Sequence, residues 1–312
     1  MKQCPAAPIP TRRRLLYAGL VFAAFLLLLE GALSLVSPVE LWLRRDEITA
    51  ANASGRLIVA LGDSVTFGFG LPREQAWPAR LQGWLVDRRL AGHDGRGLSV
   101  LNRASGGSKV GHVVERDAPW LAKRAPDSRP VVLLMVGHND LLSWGGLASP
   151  QAGGPAPPPG APRWTPRLGR VLLWALGMAR EELPESAFSD ADVALFGDAV
   201  SAIEAATAKA GGELVLLTYL VPGEAGPEQP ADLARLVHAK REHQLAINTL
   251  LRQVAAQRGL ALLDLARTLP VPPTWDPDLF IDDIHLSPEG HRRVADAVGA
   301  WLLSTGRLSA QE

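Results

Sequence analysis

A serine at position 64, a histidine at 285 and an aspartate three residues before it, Asp282, are side chains of the types that could together attack a carbonyl carbon. A serine hydroxyl is a weak nucleophile near neutral pH and needs a base within hydrogen-bond reach, a role that the imidazole pKa suits. The imidazole in turn needs a carboxylate to hold its tautomer and stabilise its charged form; the Asp282-to-His285 spacing lets one loop or helical turn deliver both. The oxyanion that such an attack creates needs donors in place beforehand. The sequence offers the Ser64 backbone N–H, a glycine N–H from the Gly106-Gly107 pair and the Asn139 carboxamide. Each residue also has a plain reading. Gly62-Asp63-Ser64 and Asn139-Asp140 could be turns, Asp282-Asp283 with Ser287-Pro288 could cap a helix starting at Pro288, and His285 could be structural.

The elements that must position these residues separate the two readings. Short runs rich in Val and Leu, "LIVAL" (57–61), "LSVLN" (98–102), "VVLLMV" (131–136), "ELVLLTY" (213–219) and "LALLDL" (260–265), lack strict alternation, as expected for parallel strands covered on both faces. Between and after them, Gln75 to Arg89, Lys109 to Lys123, Asp190 to Ala210, Leu233 to Gln257 and Pro288 to Leu303 carry apolar residues at three- and four-residue spacing, the mark of amphipathic helices. The alternation predicts an α/β fold with a parallel sheet and right-handed crossovers. In such a sheet the carboxyl ends of the strands share one edge. "GDS" after the first run, "NRASGGS" (102–108) after the second, "VGHND" (136–140) after the third and "FIDDIHLSPEGH" (280–291) should then converge. The plain readings do not predict convergence.

These blocks resemble those of the SGNH or GDSL hydrolases. "GDSVTFGFG" is similar to the family's first block, with Ser64 in the nucleophile's place, and "NRASGGS" to the second, whose glycine falls on Gly107. "GHND" is similar to the third, with Asn139 as oxyanion donor, and "DDIH" to the last, placing Asp282 and His285. The resemblance covers roughly residues 56 to 304. It implies a flavodoxin-like three-layer α/β/α sandwich with a mostly parallel five-stranded sheet, acting on esters without metal or cofactor. The chain departs from the pattern in having Val65 after the serine where the family has leucine, in the adjoining Gly106 and Gly107, and in the second acid, Asp283, beside Asp282.

Composition narrows the partners. Lys plus Arg equals Asp plus Glu at 32 each, which favours neither nucleic acid nor an anionic surface, and the single cysteine, Cys4, cannot form an internal disulfide. No Gly-Lys-Ser/Thr follows the glycines of the first block, against a phosphate loop. His238 and His243 do not share a helix face at ligand spacing, against a zinc site. Trp77, Trp84 and Trp120 sit in amphipathic patterns and read as core.

The N-terminal region sets Arg12, Arg13 and Arg14 before an apolar run from Leu15 to Val36 broken only by Glu30. At about 1.5 Å per residue this run reaches roughly 33 Å, enough for a bilayer core. Its nine Leu, two Val and two Phe outweigh the acid on an insertion scale. The expectation is a cytoplasmic segment over 1–14, a transmembrane signal-anchor helix over 15–36, a linker over 37–55, a hydrolase domain over 56–304 on the extracytoplasmic (periplasmic) side, and a tail over 305–312. A cleaved signal peptide is the rival, with Ala32-Leu33-Ser34 as its site, and it exports the domain equally. Within 144–189 lies a stretch, 145–162, where 11 of 18 residues are Gly or Pro, read as a surface loop that is either a tolerated insertion or a lid.

The substrate expected from these readings is an ester or an acylated glycan. An O-acyltransferase on envelope glycans would use the same residues, and a noncatalytic polysaccharide-binding envelope protein is the alternative of another class.

Overall fold

The computed structural model describes residues 56–91, 97–140, 143–144, 181–182, 188, 190–226 and 231–310, together with Val21, Ala24, Phe25 and Leu28. The chain divides into two compact units: Met1–Asp46 with Trp144–Ala148 and Pro157–Glu181, and Glu47–Ser143 with Ser149–Ala156 and Glu182–Glu312. In the first, the helical residues Val21, Phe25 and Leu28 are exposed. The rest of the expected membrane helix over 15–36, and the whole Gly/Pro stretch 145–162, lie outside the described residues. Among those that are described, no helix is long and apolar enough to cross a membrane.

The second unit holds a five-stranded sheet. In chain order its elements are β1 (Arg56–Gly62), α1 (Ser64–Phe67), α2 (Trp77–Asp87), β2 (Leu90–Ala91), β3 (Leu98–Asn102), α3 (Val110–Leu121) and β4 (Val131–Met135). After the short segments β5 (Ser143–Trp144) and β6 (Glu181–Glu182) come α4 (Asp190–Lys209), β7 (Glu213–Leu217), α5 (Ala231–Arg258), β8 (Ala261–Leu263), α6 (Leu265–Thr268), α7 (Pro288–Ser304) and β9 (Ser309–Ala310). The sheet runs β3-β1-β4-β7-β8, and every pairing in it is parallel. This is the flavodoxin-like order, which reverses direction between β1 and β4. The sheet is thus wholly parallel, where mostly parallel was expected.

The apolar runs became strands for the reason their composition suggested. Leu57 to Leu61 of β1 and all of β4 are buried, so neither face needs polar side chains. α2 packs on α7, while α3 packs on α4 and α4 meets α5, the two-faced division that right-handed crossovers between parallel strands in this order require. Pro288 opens α7 at its first position and the Ser287 hydroxyl caps it, accepting the Gly290 N–H at 3.1 Å. The segment past 304 joins the fold too: Leu308 is buried, and β9 pairs antiparallel with β2.

Candidate active site

The first block turns sharply because its residues leave no alternative. A Cβ on Gly62 would lie 2.3 Å from the Met135 carbonyl of the neighbouring strand, so only glycine fits at the end of β1. Asp63 is the N-cap of the single helical turn that starts with Ser64, and its Oδ1 accepts the Val65 N–H at 3.0 Å. Gly68 closes the turn in the left-handed region (φ 88°), its N–H donating to the Ser64 carbonyl. The serine is thereby held at the carboxyl end of β1, at the point where the strand order reverses.

Loops distant in sequence are stitched to that turn. The Ser105 N–H donates to the Gly62 carbonyl at 3.2 Å, and the Asn102 carboxamide donates to the Thr66 carbonyl at 3.2 Å, tying the second block to the first. Arg103 of the same block is buried, with its Nε on Asp117 of α3 at 2.8 Å. From the third block, Asn139 Nδ2 donates to the Ser108 carbonyl at 3.2 Å. A carboxamide nitrogen carries two N–H donors, so this bond engages one of them. Gly107, one residue before Ser108, adopts φ 69° and is exposed. Asp140 receives the Val110 N–H at 3.0 Å and so caps α3, and burial pushes its carboxyl up to about 7 against that bond and Lys109.

The last block completes the line. His285 Nε2 lies 2.9 Å from Ser64 Oγ, and His285 Nδ1 lies 2.7 Å from Asp282 Oδ2. Asp282 Oδ1 accepts the backbone N–H of His285 at 2.7 Å and of Ile284 at 2.9 Å. Burial works to raise the Asp282 carboxyl, but the bonds from the His285 ring and from the His285 and Ile284 N–H groups outweigh it and hold the group at about 2. The carboxylate therefore stays ionised at any working pH, while its side chain remains 41% exposed. Asp283, the extra acid, pairs instead with Lys240 of α5 at 2.6 Å. The Phe69 ring packs on the imidazole, with centroids 4.7 Å apart.

A buried polar layer lies behind the serine. The Tyr219 hydroxyl, just beyond β7, donates to Asp63 Oδ2 at 2.6 Å. Burial pushes Asp63 up to about 6 despite the Tyr219 and Val65 bonds, and it pushes the Tyr219 hydroxyl above its ordinary value, with the Asp63 charge adding to it. His138, the variable residue of "GHND", is buried beside Tyr219 and His243, and burial lowers it to about 3, so it is neutral. His243 Nε2 meets the His138 carbonyl at 2.9 Å.

The structure thus brings Ser64, His285 and Asp282 into one hydrogen-bonded line and joins the Gly107 and Asn139 loops to it. Of the plain reading of the last block, Ser287 and Pro288 do open and cap α7, whereas Asp282 and Asp283 do not cap it: Asp282 bonds His285 and Asp283 pairs with Lys240. Tyr219, Lys240, Asp140 and Phe69 were not singled out from sequence. Asp140 and Phe69 sat inside the quoted blocks, and Tyr219 ended a predicted strand, whereas Lys240 carries no local signal on its helix. Among the described residues no three His, Cys, Asp or Glu side chains are grouped to hold a metal ion.

Residues 60–293 match the model of the GDSL-like Lipase/Acylhydrolase family. An arylesterase from Vibrio mimicus is 30% identical over 95 residues, a stretch that spans 30% of this chain and 43% of that protein. A solved lipase/acylhydrolase from Enterococcus faecalis is similar at 15% identity and TM-score 0.48, covering 82% of this chain and 99% of its own. Est24, a carbohydrate acetylesterase from Sinorhizobium meliloti, is similar at 14% identity and TM-score 0.47, covering 80% and 99%.

Proposed function

We propose that this chain, which belongs to the GDSL-like lipase/acylhydrolase family, is a serine ester hydrolase that cleaves carboxylic esters through an acyl-enzyme on Ser64. The observation that carries this reading is the line from Ser64 Oγ through His285 to Asp282, with both links within hydrogen-bond reach. Ser64 Oγ attacks the ester carbonyl as His285 Nε2 takes its proton, and Asp282 stabilises the imidazolium that forms. The Ser64 and Gly107 N–H groups and the Asn139 carboxamide receive the oxyanion; losing one such donor removes about 3 to 4 kcal/mol of transition-state stabilisation. As the intermediate collapses, His285 passes the proton to the leaving alcohol. Water then attacks the acyl carbonyl as His285 takes its proton, and His285 returns that proton to Ser64 Oγ as the acyl–oxygen bond breaks and the acid leaves.

The apolar run over 15–36, preceded by three arginines, supports display of this domain on the extracytoplasmic side of a membrane. The name of the Vibrio mimicus relative makes aryl esters the first substrates to try, with O-acetylated glycans beside them. The test is a hydrolysis screen over both classes, comparing the wild type with Ser64→Ala, alongside labelling by a fluorophosphonate probe. Hydrolysis and labelling that vanish together in Ser64→Ala support the reading. Two enzymes that behave alike refute it. Wild-type protein that neither hydrolyses nor labels points to the polysaccharide-binding module, and acyl transfer to a sugar outpacing release to water points to the transferase.

A further inference from the structure

Two large apolar side chains stand exposed on the loops that carry Ser64 and His285. Phe69 is 52% exposed and Ile281 is 42% exposed. They come from opposite ends of the chain. Phe69 follows the turn that holds Ser64, and Ile281 immediately precedes Asp282. The loops that carry them touch at Gly70, where an added Cβ would lie 2.8 Å from Ile281 Cδ1. Phe69 in turn packs its ring on His285. The pair forms an apolar shelf on the imidazole side of the serine.

Which part of an ester meets that shelf follows from the proton transfers. His285 Nε2 takes the proton from Ser64 Oγ and must give it to the departing oxygen, so the alcohol part of the ester sits on the imidazole side. The acyl carbonyl oxygen points instead to the Gly107 and Asn139 loops. Resting on the esterase reading above, we infer that Phe69 and Ile281 form the subsite for the leaving group, and that the enzyme selects esters of apolar or aromatic alcohols. A strongly charged or sugar alcohol would strip water from its polar groups against this shelf without regaining hydrogen bonds.

The test uses the full chain and acetates of two alcohols of similar acidity, benzyl and 2-methoxyethyl, so that intrinsic reactivity does not decide the outcome. The wild type should prefer the benzyl ester by roughly tenfold in kcat/KM, the scale of discrimination a modest apolar contact supplies. Phe69→Ala and Ile281→Ser should each erase most of that preference, and Phe69→Leu should keep part of it. Because both side chains are exposed, these variants should fold, and a melting curve checks it. A series of ethyl esters from acetate to octanoate supplies the second arm, in which the variants should leave the acyl-length preference as in the wild type. Unchanged benzyl preference, equal loss on both acetates, or a shift in acyl preference instead would each overturn the inference. An inactive Ser64→Ala alongside any of these overturns the shelf alone, whereas a Ser64→Ala that still hydrolyses overturns the esterase reading and the shelf with it.

Discussion

Asp282 grips His285 at two points: Oδ2 meets ring Nδ1 at 2.7 Å, and Oδ1 accepts the backbone N–H of the same residue at 2.7 Å. One bond orients the ring and the other fixes the loop from which it projects. Asp282→Asn can keep the backbone bond and the shape, but it cannot hold the proton on Nδ1 and neutralise the imidazolium. We expect kcat on an aryl acetate to fall by about 10⁴ while the melting temperature stays near that of the wild type. A variant within tenfold of the wild type would remove Asp282 from the proton path.

Lys240 and Asp283 are an ion pair with side chains 12% and 18% exposed, linking α5 to the loop that bears Asp282 and His285. Lys240→Met should let that loop drift and lower kcat by up to roughly 100-fold, the scale of a misplacement of about 1 Å, with little change in KM. The charge-swapped double variant, Lys240→Asp with Asp283→Lys, should recover part of the loss. Failure of the swap to outperform both single variants in kcat would count against a pairing role.

Tyr219 donates to a carboxylate that burial has already raised to about 6. A raised carboxyl binds its proton more tightly when folded, so Asp63's contribution is best below its unfolded value of 3.8 and declines as pH climbs through about 6. Tyr219→Phe removes a bond that favours the charged form, leaving a buried acceptor unpaired at a stability cost of about 1 to 3 kcal/mol. Urea unfolding should show a larger loss at pH 8, where Asp63 is ionised, than at pH 5. Equal losses at the two values would mean that the hydroxyl does not act through the carboxylate.

His291 is buried under α2, where its Nδ1 accepts the Trp77 N–H at 3.1 Å. Burial lowers it to about 3 from 6.5, so the unfolded chain takes up a proton that the folded one refuses between those values. Its contribution to stability is therefore whole above 6.5 and drains away as pH falls toward about 3. His291→Gln keeps an acceptor for Trp77 but has no proton to gain. Between pH 6 and 4 the variant's stability should fall less steeply than the wild type's, by up to about 1.4 kcal/mol per pH unit. Parallel curves would show that His291 charges freely in the fold.

Much of this fold was legible along the chain. A parallel strand buried on both faces must be apolar at every position, which is why 57–61 and 131–135 announced themselves. Helices on the sheet need one apolar stripe, and Asp190 to Lys209 ends within one residue of its predicted bound. The site blocks were readable for a related reason: each is a short loop whose glycines, capping acids and asparagines answer to local backbone demands, as Gly62 and Asp63 show. What the tertiary structure alone decided is which side chain meets which across long separations. Tyr219 reaches Asp63 over 156 positions, Lys240 reaches Asp283, and the Phe69 ring settles on His285. Periodicity records how deeply a residue is buried and on which face. The partner of a buried charge, or the ring beside an imidazole, depends on where the crossovers set whole elements down, and no local pattern carries that information.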